Sequence, residues 1–223
     1  MRDGALSNNN NGLKNGKRLK LIEAAIDEFN EFGIENASYN RIIERSGLSK
    51  GSVYYHFDNK NALLAIVIEE ICDRVLQAVP EKELPQSRND FWKTLWSYRQ
   101  HEFDFFSTHV RLGRILIMSL NINELELELE NENKNLCEPL AKLLARQMNL
   151  IKRGQELGAI RNDLSVDLIF NLMKSLDKSL CVNFFGRDAK DIHKLSEQEK
   201  RKSSQRYTSL FKDLAKRMLE AEA

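Results

Sequence analysis

The sequence predicts an all-α fold, in which an N-terminal three-helix domain containing a helix-turn-helix is joined by a fourth helix to a larger helical domain. Three observations support this fold class. Apolar residues recur at helical spacing along most of the chain, and glycine is rare, at 10 of 223 residues. Two short helical patterns near the N-terminus are separated by a three-residue turn that begins with glycine, which is the pattern of a helix-turn-helix.

The composition is that of an ordinary globular chain, with 42% hydrophobic residues and a net charge of +1. No apolar run approaches the roughly 18 residues that cross a membrane, so we predict no membrane partner and a cytoplasmic location. Cys72, Cys137 and Cys181 are far apart and have no metal-ligand spacing. We therefore predict free thiols, no disulfide, no metal and no cofactor.

Composition shifts divide the chain into three parts. Residues 1–15 are polar and Asn-rich, and we predict a disordered N-terminal arm. Residues 16–64 hold the helix-turn-helix domain, and residues 65–223 form the C-terminal domain. Two of the three prolines lie in the polar segment 80–87, and a second polar loop is predicted at 186–191.

Local signals place each helix of the N-terminal domain. The first helix buries an apolar face with the spacing i, i+3, i+4, i+7, formed by Ile22, Ala25, Ile26 and Phe29. It ends at Gly33. Ser38 caps the second helix, which buries Ile42 and Ile43 and ends at Gly47. Ser49 caps a third helix that reaches Tyr55 or His56, and Asp58 or Asn59 caps a fourth that begins near Lys60.

The third helix is too short and too polar for a core helix. Val53 and Phe57 can anchor it inward. The remaining side chains then point outward, where lysine, serine and tyrosine can contact base edges and phosphates and a glycine admits the backbone: Lys50, Gly51, Ser52, Tyr54 and Tyr55. The alternative for each tyrosine is a half-buried packing role. A local excess of basic residues fits a DNA surface: Arg41, Arg45, Lys50 and Lys60.

The segment from Lys17 to Leu64 closely resembles the DNA-binding domain of TetR-family repressors. The resemblance is carried by the glycine that ends the first helix, the hydroxyl cap, and the run Gly-Leu-Ser-Lys-Gly-Ser-Val-Tyr-Tyr-His-Phe from Gly47 to Phe57. Ile43 and Ser46 depart from the alanines usual in the family. With the physical argument above, the resemblance implies these DNA-binding residues: Asn40, Lys50, Gly51, Ser52, Tyr54, Tyr55, His56 and Lys60. The rival role for His56 is a catalytic base or metal ligand.

Aromatic residues are concentrated between residues 91 and 106, which hold seven of the chain's eighteen. One helical face carries Trp92, Trp96, Phe103 and Phe106. These four are predicted to line an effector pocket, with plain core packing as the alternative. Polar groups for the pocket would come from Arg99, His101, His109, Arg111 and Arg114, for which surface charge is the alternative.

Leucines stripe the last two predicted helices. In TetR-like proteins the final two helices of each subunit form a four-helix bundle with the partner, so the resemblance implies a dimer interface containing Leu172, Leu176, Leu180, Leu210 and Leu214. Packing within one chain is the alternative. The segment 124–130 alternates Glu and Leu with period two, which favours a strand; we predict a helix end or loop because no partner strand is evident.

These observations predict a homodimeric repressor that a small, largely apolar effector releases from its operator. Its predicted partners are double-stranded operator DNA, a second copy of the chain and an unidentified small molecule. The alternative is a TetR-like co-activator that acts through protein interactions without specific DNA binding. An enzyme is not predicted, because the four histidines form no recognisable catalytic constellation.

Overall fold

A computed structural model of the chain describes residues 15–119, 138–185 and 196–221. The all-α prediction is confirmed, since these residues form helices and no strand beyond one isolated bridge between Ile160 and Glu220. The helices are α1 (Asn15–Asn36), α2 (Tyr39–Ser46), α3 (Lys50–His56), α4 (Lys60–Ala78), α5 (Arg88–Thr108), α6 (Val110–Ser119), α7 (Glu138–Glu156), α8 (Val166–Phe185) and α9 (Glu197–Leu219).

The chain divides into two compact units, residues 1–70 and 71–223, with the boundary inside α4. In the first unit the predicted apolar face of α1 is buried, with Ile22, Ala25, Ile26 and Phe29 all at most 1% exposed. Ile42 and Ile43 of α2, Val53 of α3 and Leu64 of α4 complete this core. Burying these side chains is the main force that assembles such short helices, because helices of seven or eight residues are unstable alone.

The predicted caps explain where these helices begin and end. At Gly33 the backbone of α1 leaves the helical path (φ 76°, ψ 164°) before one further turn to Asn36. Gly47 adopts the left-handed conformation that ends α2 (φ 66°), where glycine has no steric cost. The hydroxyls of Ser38 and Ser49 accept hydrogen bonds from backbone N–H groups of α2 and α3. Asn59 caps α4, accepting from the N–H of Ala62 at 3.0 Å.

The second unit is built around α5, which packs against α6, α7 and α9, while α8 packs against α7 and α9. Phe91 of α5 and Phe211 of α9 are fully buried. Helix α7 approaches closely through Gly154, where an added Cβ would lie 2.5 Å from the Phe91 ring and 2.7 Å from Ile160. Any larger residue at position 154 would force these helices apart.

Several predicted features lie outside the described residues: the N-terminal arm up to residue 14, Cys137, the alternating segment 124–130 and the loop 186–191. The side chain of Cys181 is likewise outside the description. Cys72 is a buried thiol, as predicted. No helix in the described part of the chain is long and apolar enough to cross a membrane.

Candidate nucleic-acid interface

Helix α3 lies on the surface of the first unit. Val53 (0% exposed) and Phe57 (4%) anchor it, as predicted. The outer side carries Lys50, Gly51 and Tyr55, and Tyr55 is 84% exposed. Its ring and its hydroxyl are therefore both accessible to a partner.

Tyr54 links the two helices of the motif. Its hydroxyl donates to the Asn40 side chain across 3.3 Å, and its ring meets the Tyr39 ring edge-on, with centroids 5.1 Å apart. The Tyr39 hydroxyl in turn donates to the carbonyl of Phe57, at the end of α3. Burial raises the pKa of Tyr39, aided by Tyr54 and Asp58, so the hydroxyl remains a donor. Tyr54 is therefore partly exposed at the surface while its ring packs against that of Tyr39.

His56 is half-buried, with its ring edge-on to Tyr55 at 4.9 Å between centroids. Over residues 15–119, 138–185 and 196–221, no group of three or more His, Cys, Asp or Glu side chains is placed to bind a metal ion. His56 presents a partly exposed ring with two nitrogens beside Tyr55, and its contact with phosphate stays a prediction.

Lys60 has a second role that sequence reasoning missed. Its ammonium donates to the carbonyl oxygens of Ile34, at 2.7 Å, and Glu35, at 2.8 Å, in the last turn of α1. An ammonium group has three donors, so one is left for a phosphate oxygen. Lys60 therefore stabilises the C-terminal end of α1 as well as adding positive charge at the start of α4.

A buried carboxylate joins α1 to α2. Glu28 is fully buried, and its Oε1 accepts from the N–H of Ser38 at 2.9 Å and from Arg41 Nε at 2.7 Å. Arg45 Nε lies 3.6 Å from the other oxygen, Oε2. Both guanidinium groups also lie over the Phe32 ring, at 4.2 Å and 5.8 Å from its centroid. This arrangement is called the Glu28 cluster below.

The Glu28 cluster changes the number of unpaired positive charges on the predicted DNA surface. Burial raises the pKa of Glu28, but the hydrogen bonds from Arg41 and Ser38 and the positive charges of Arg41 and Arg45 outweigh it and lower the pKa overall. Arg41 and Arg45, counted from the sequence as surface charge, are thus paired with a buried carboxylate, while their own side chains stay 43% and 36% exposed. The sequence does contain a signal for this pairing: an acidic residue lies beside the buried face of α1, and two arginines lie four residues apart on α2.

The comparisons with known proteins agree with this geometry. Residues 21–67 match the sequence model of the family described as bacterial regulatory proteins, tetR family. Residues 21–67 are thus similar to the N-terminal segment of TetR-family regulators. All eight residues predicted to bind DNA lie inside this TetR-type match.

Two related proteins share the TetR-type segment. The uncharacterized HTH-type transcriptional regulator YvdT of Bacillus subtilis (strain 168) is 32% identical over 80 residues, 36% of this chain and 40% of YvdT. The HTH-type transcriptional regulator BetI of Klebsiella pneumoniae (strain 342) is 34% identical over 68 residues, 30% of this chain and 35% of BetI. The alignments therefore span less than half of either relative.

Solved structures resemble nearly the whole chain. SmeT, the repressor of the Stenotrophomonas maltophilia multidrug efflux pump SmeDEF, superposes with a TM-score of 0.62 at 19% identity, over 92% of this chain and 91% of SmeT. A protein assigned to the TetR family from Shewanella sp. PV-4 gives 0.71 at 14% identity, over 92% of this chain and 99% of the other. At these identities the likeness shows the TetR-family fold alone.

Two of the four aromatic residues predicted to line an effector pocket, Trp96 and Phe103, contact aromatic rings of α9. Trp92 stacks on Trp96 with centroids 5.1 Å apart, and Trp96 meets Phe211 edge-on. Phe103 stacks on Tyr207 of α9 at 4.1 Å. Phe106 is half-buried, with its ring 5.1 Å from that of the neighbouring Phe105.

A small cavity of about 20 Å³ lies elsewhere on α5, and its walls come from α5, α7 and α8. The lining residues are Leu95, Tyr98, Arg99, Glu102, Arg146, Gln147, Leu150, Ile151, Phe170 and Met173. None of the four predicted pocket aromatics is among them, and Trp96 and Phe103 face α9 instead. Arg99, predicted from the sequence as a polar group for a pocket, does line this cavity.

The leucines predicted for a dimer interface fall into two groups. Leu210 and Leu214 of α9 are exposed, and Leu172 and Leu176 of α8 are half-buried. Leu180 is 6% exposed and belongs to the core of its own unit, so it has little surface to offer a partner.

Proposed function

We propose that this protein is a transcriptional regulator that binds operator DNA through α2 and α3. The exposed outer face of α3, with Lys50 and Tyr55 pointing away from the core, is the observation that carries the proposal. Lysine donors can pair with guanine O6 and N7, and tyrosine rings with thymine methyls and phosphates. The alternative, a co-activator without specific DNA binding, is disfavoured because these reader residues are present and exposed.

The regulator acts as a homodimer in this proposal. One reader domain contacts too few base pairs to select a site in a genome, whereas two-fold symmetry doubles the contacts on a near-palindromic site. Exposed leucines on α8 and α9 support this arrangement, since an apolar face left in water favours association: Leu168, Leu210 and Leu214. The two half-sites would lie about 34–36 Å apart, or a multiple of that spacing.

The same proposal makes the protein a repressor that a small effector releases from DNA. Its support is the fold that it shares with SmeT, which is itself a repressor, and the cavity in the helical second unit. Helix α4 runs from Lys60 in the first unit to Ala78 in the second, so a shift of α4 would change the separation of the two α3 helices. A coupling of about 1–3 kcal/mol would lower operator affinity roughly 5- to 150-fold.

Selection from a random DNA library, followed by fluorescence anisotropy, tests the proposal. We expect a near-palindromic site to be enriched. Lys50→Ala should weaken binding to that site by about 1–3 kcal/mol while changing binding to scrambled DNA far less. Lys93→Ala, an exposed lysine on α5 of the second unit, is the matched control and should bind as the wild type does. Failure to enrich any site would favour the co-activator.

A further inference from the structure

Arg146 of α7 is a buried cation whose one acidic partner among the described residues is Glu102. Its side chain is 9% exposed. One guanidinium nitrogen donates to the carbonyl oxygen of Val79 at 2.7 Å, and the other lies 3.5 Å from Glu102 Oε1. The guanidinium carbon lies 4.7 Å from the centroid of the Tyr98 ring. A neutral carbonyl and one long carboxylate contact are weak compensation for a buried charge.

The acidic groups nearby are committed mainly to Arg99. Glu102 Oε2 accepts from Arg99 at 3.1 Å, and Asp177 Oδ2 accepts from the same arginine at 2.6 Å. The second oxygen of Asp177 accepts from the Tyr207 hydroxyl. Arg146 therefore shares the Glu102 carboxylate with Arg99, which lies closer to it. A guanidinium can donate five hydrogen bonds, and these two contacts leave much of that capacity unused in Arg146.

The cavity described above is lined by both polar and apolar side chains. Arg146, Arg99 and Glu102 supply charged groups, and Gln147 adds an amide. The apolar lining is supplied by Leu95, Leu150, Ile151, Phe170 and Met173. At about 20 Å³ the cavity has room for roughly one water molecule, so an organic ligand must move side chains to enter.

We propose that this cavity is the start of the effector site and that the effector is an organic anion with an apolar body, whose carboxylate pairs with Arg146. This inference rests on the proposed function as an effector-controlled regulator. A carboxylate matches the planar donor pair of a guanidinium and forms two charge-assisted hydrogen bonds, replacing the single 3.5 Å contact to Glu102. The effector class is thus narrower than the largely apolar molecule predicted from the sequence.

The same residues contact the chain that follows α4. Arg146 donates to Val79, one residue beyond the end of α4, and the Tyr98 hydroxyl accepts from the N–H of Lys82 at 2.7 Å. A carboxylate that draws Arg146 toward itself removes the donor from Val79. Anion binding is thereby coupled to the C-terminal end of α4, the helix that continues into the TetR-type domain.

The test compares ligands that differ only in charge. Straight-chain carboxylates of about 6–12 carbons span a range of apolar bodies. Their binding is measured by calorimetry and compared with that of the alcohols and alkylammonium ions of equal length. We expect at least one carboxylate to bind, about 10- to 100-fold more tightly than its alcohol, since hydrogen bonds between charged groups are worth that factor. The alkylammonium ions should bind no better than the alcohols.

Two variants of Arg146 and one control locate the site. Arg146→Met should abolish the preference for the carboxylate, and Arg146→Lys should retain only part of it because the donor fork is lost. Arg153→Met is the matched control: Arg153 lies two turns further along α7 and also donates to a backbone carbonyl, that of Pro85 at 2.9 Å, without lining the cavity. It should bind the carboxylate as the wild type does.

Glu102→Gln supplies a result that misfolding cannot imitate. Removing the competing carboxylate should tighten binding of the anion severalfold, because Arg146 then lacks its acidic partner. Any of three results would overturn the inference: equal affinity for alcohol and carboxylate, wild-type carboxylate affinity in Arg146→Met, or no binding by any carboxylate. Operator binding without ligand is measured on the same preparations. Anion binding by a protein that selects no DNA site would refute the regulator and leave the anion site standing.

Discussion

Replacing Glu28 by Gln removes the negative charge at the centre of the Glu28 cluster while keeping the shape of the side chain. The amide oxygen can still accept from the N–H of Ser38, but the charged hydrogen bond to Arg41 and the attraction to Arg45 are lost. Breaking a buried ion pair costs about 3–5 kcal/mol when the remaining charge stays buried. Here the two arginines are 43% and 36% exposed and can turn to water. We therefore expect a smaller loss, about 1–3 kcal/mol.

Hydrogen exchange detected by mass spectrometry measures this loss where it occurs. Amides of α2 and α3 should exchange faster in Glu28→Gln, by the factor that corresponds to about 1–3 kcal/mol, while those of α7 keep their wild-type rates. Glu31→Gln is the matched control. Glu31 is exposed and, among the described residues, pairs with Arg45 alone, at 2.6 Å, so its replacement should cost at most about 0.5–1 kcal/mol.

The same substitution should change how the protein binds DNA. Arg41 and Arg45, released from Glu28, become available to phosphates, and each new phosphate contact steepens the salt dependence of binding by about 0.9 in log–log slope. Affinity for scrambled DNA should rise while the preference for the operator falls. If the exchange rates in α2 and α3 and the salt slope all match those of the wild type, the carboxylate does not position the motif.

Four further results are expected. Gly51→Ala should raise the free energy of unfolding by about 0.5–1 kcal/mol, since its Cβ meets nothing within 4 Å, yet weaken operator binding in anisotropy if the backbone approaches DNA there. Leu214→Glu should give monomers in light scattering, whereas a wild type that is already monomeric at micromolar concentration would refute the dimer. Burial raises the pKa of Asp177 against the opposing effects of Arg99 and Tyr207. The stability that Asp177 contributes relative to Asp177→Asn should therefore be greatest below about pH 4 and decline as the pH rises through the folded-state pKa. A stability difference that grows with pH in urea titrations would contradict this sign. Glu28, whose pKa is lowered, should show the opposite trend against Glu28→Gln, with its stabilisation lost as the pH falls through the folded-state pKa.

The sequence by itself determined where α2 and α3 begin and end and the motif that they form. Ser38, Gly47 and Ser49 act on backbone groups within a few residues, so their effect on where α2 and α3 begin and end is local. The burial of Val53 and Phe57 follows from their spacing on a short helix, which also exposes Tyr55. A resemblance concentrated in this segment was informative because reading DNA constrains many neighbouring positions at once.

Only the tertiary structure decided which charged and aromatic side chains meet. Arg41 contacts Glu28 across 13 residues of sequence, Arg146 contacts Val79 across 67, and Arg99 contacts Asp177 across 78. Periodicity shows that a helix has an apolar face, as α5 does, but not which helix will cover it. Long-range pairing depends on how the packed helices place each side chain, and the same residue types lie on a surface or in a core according to that packing.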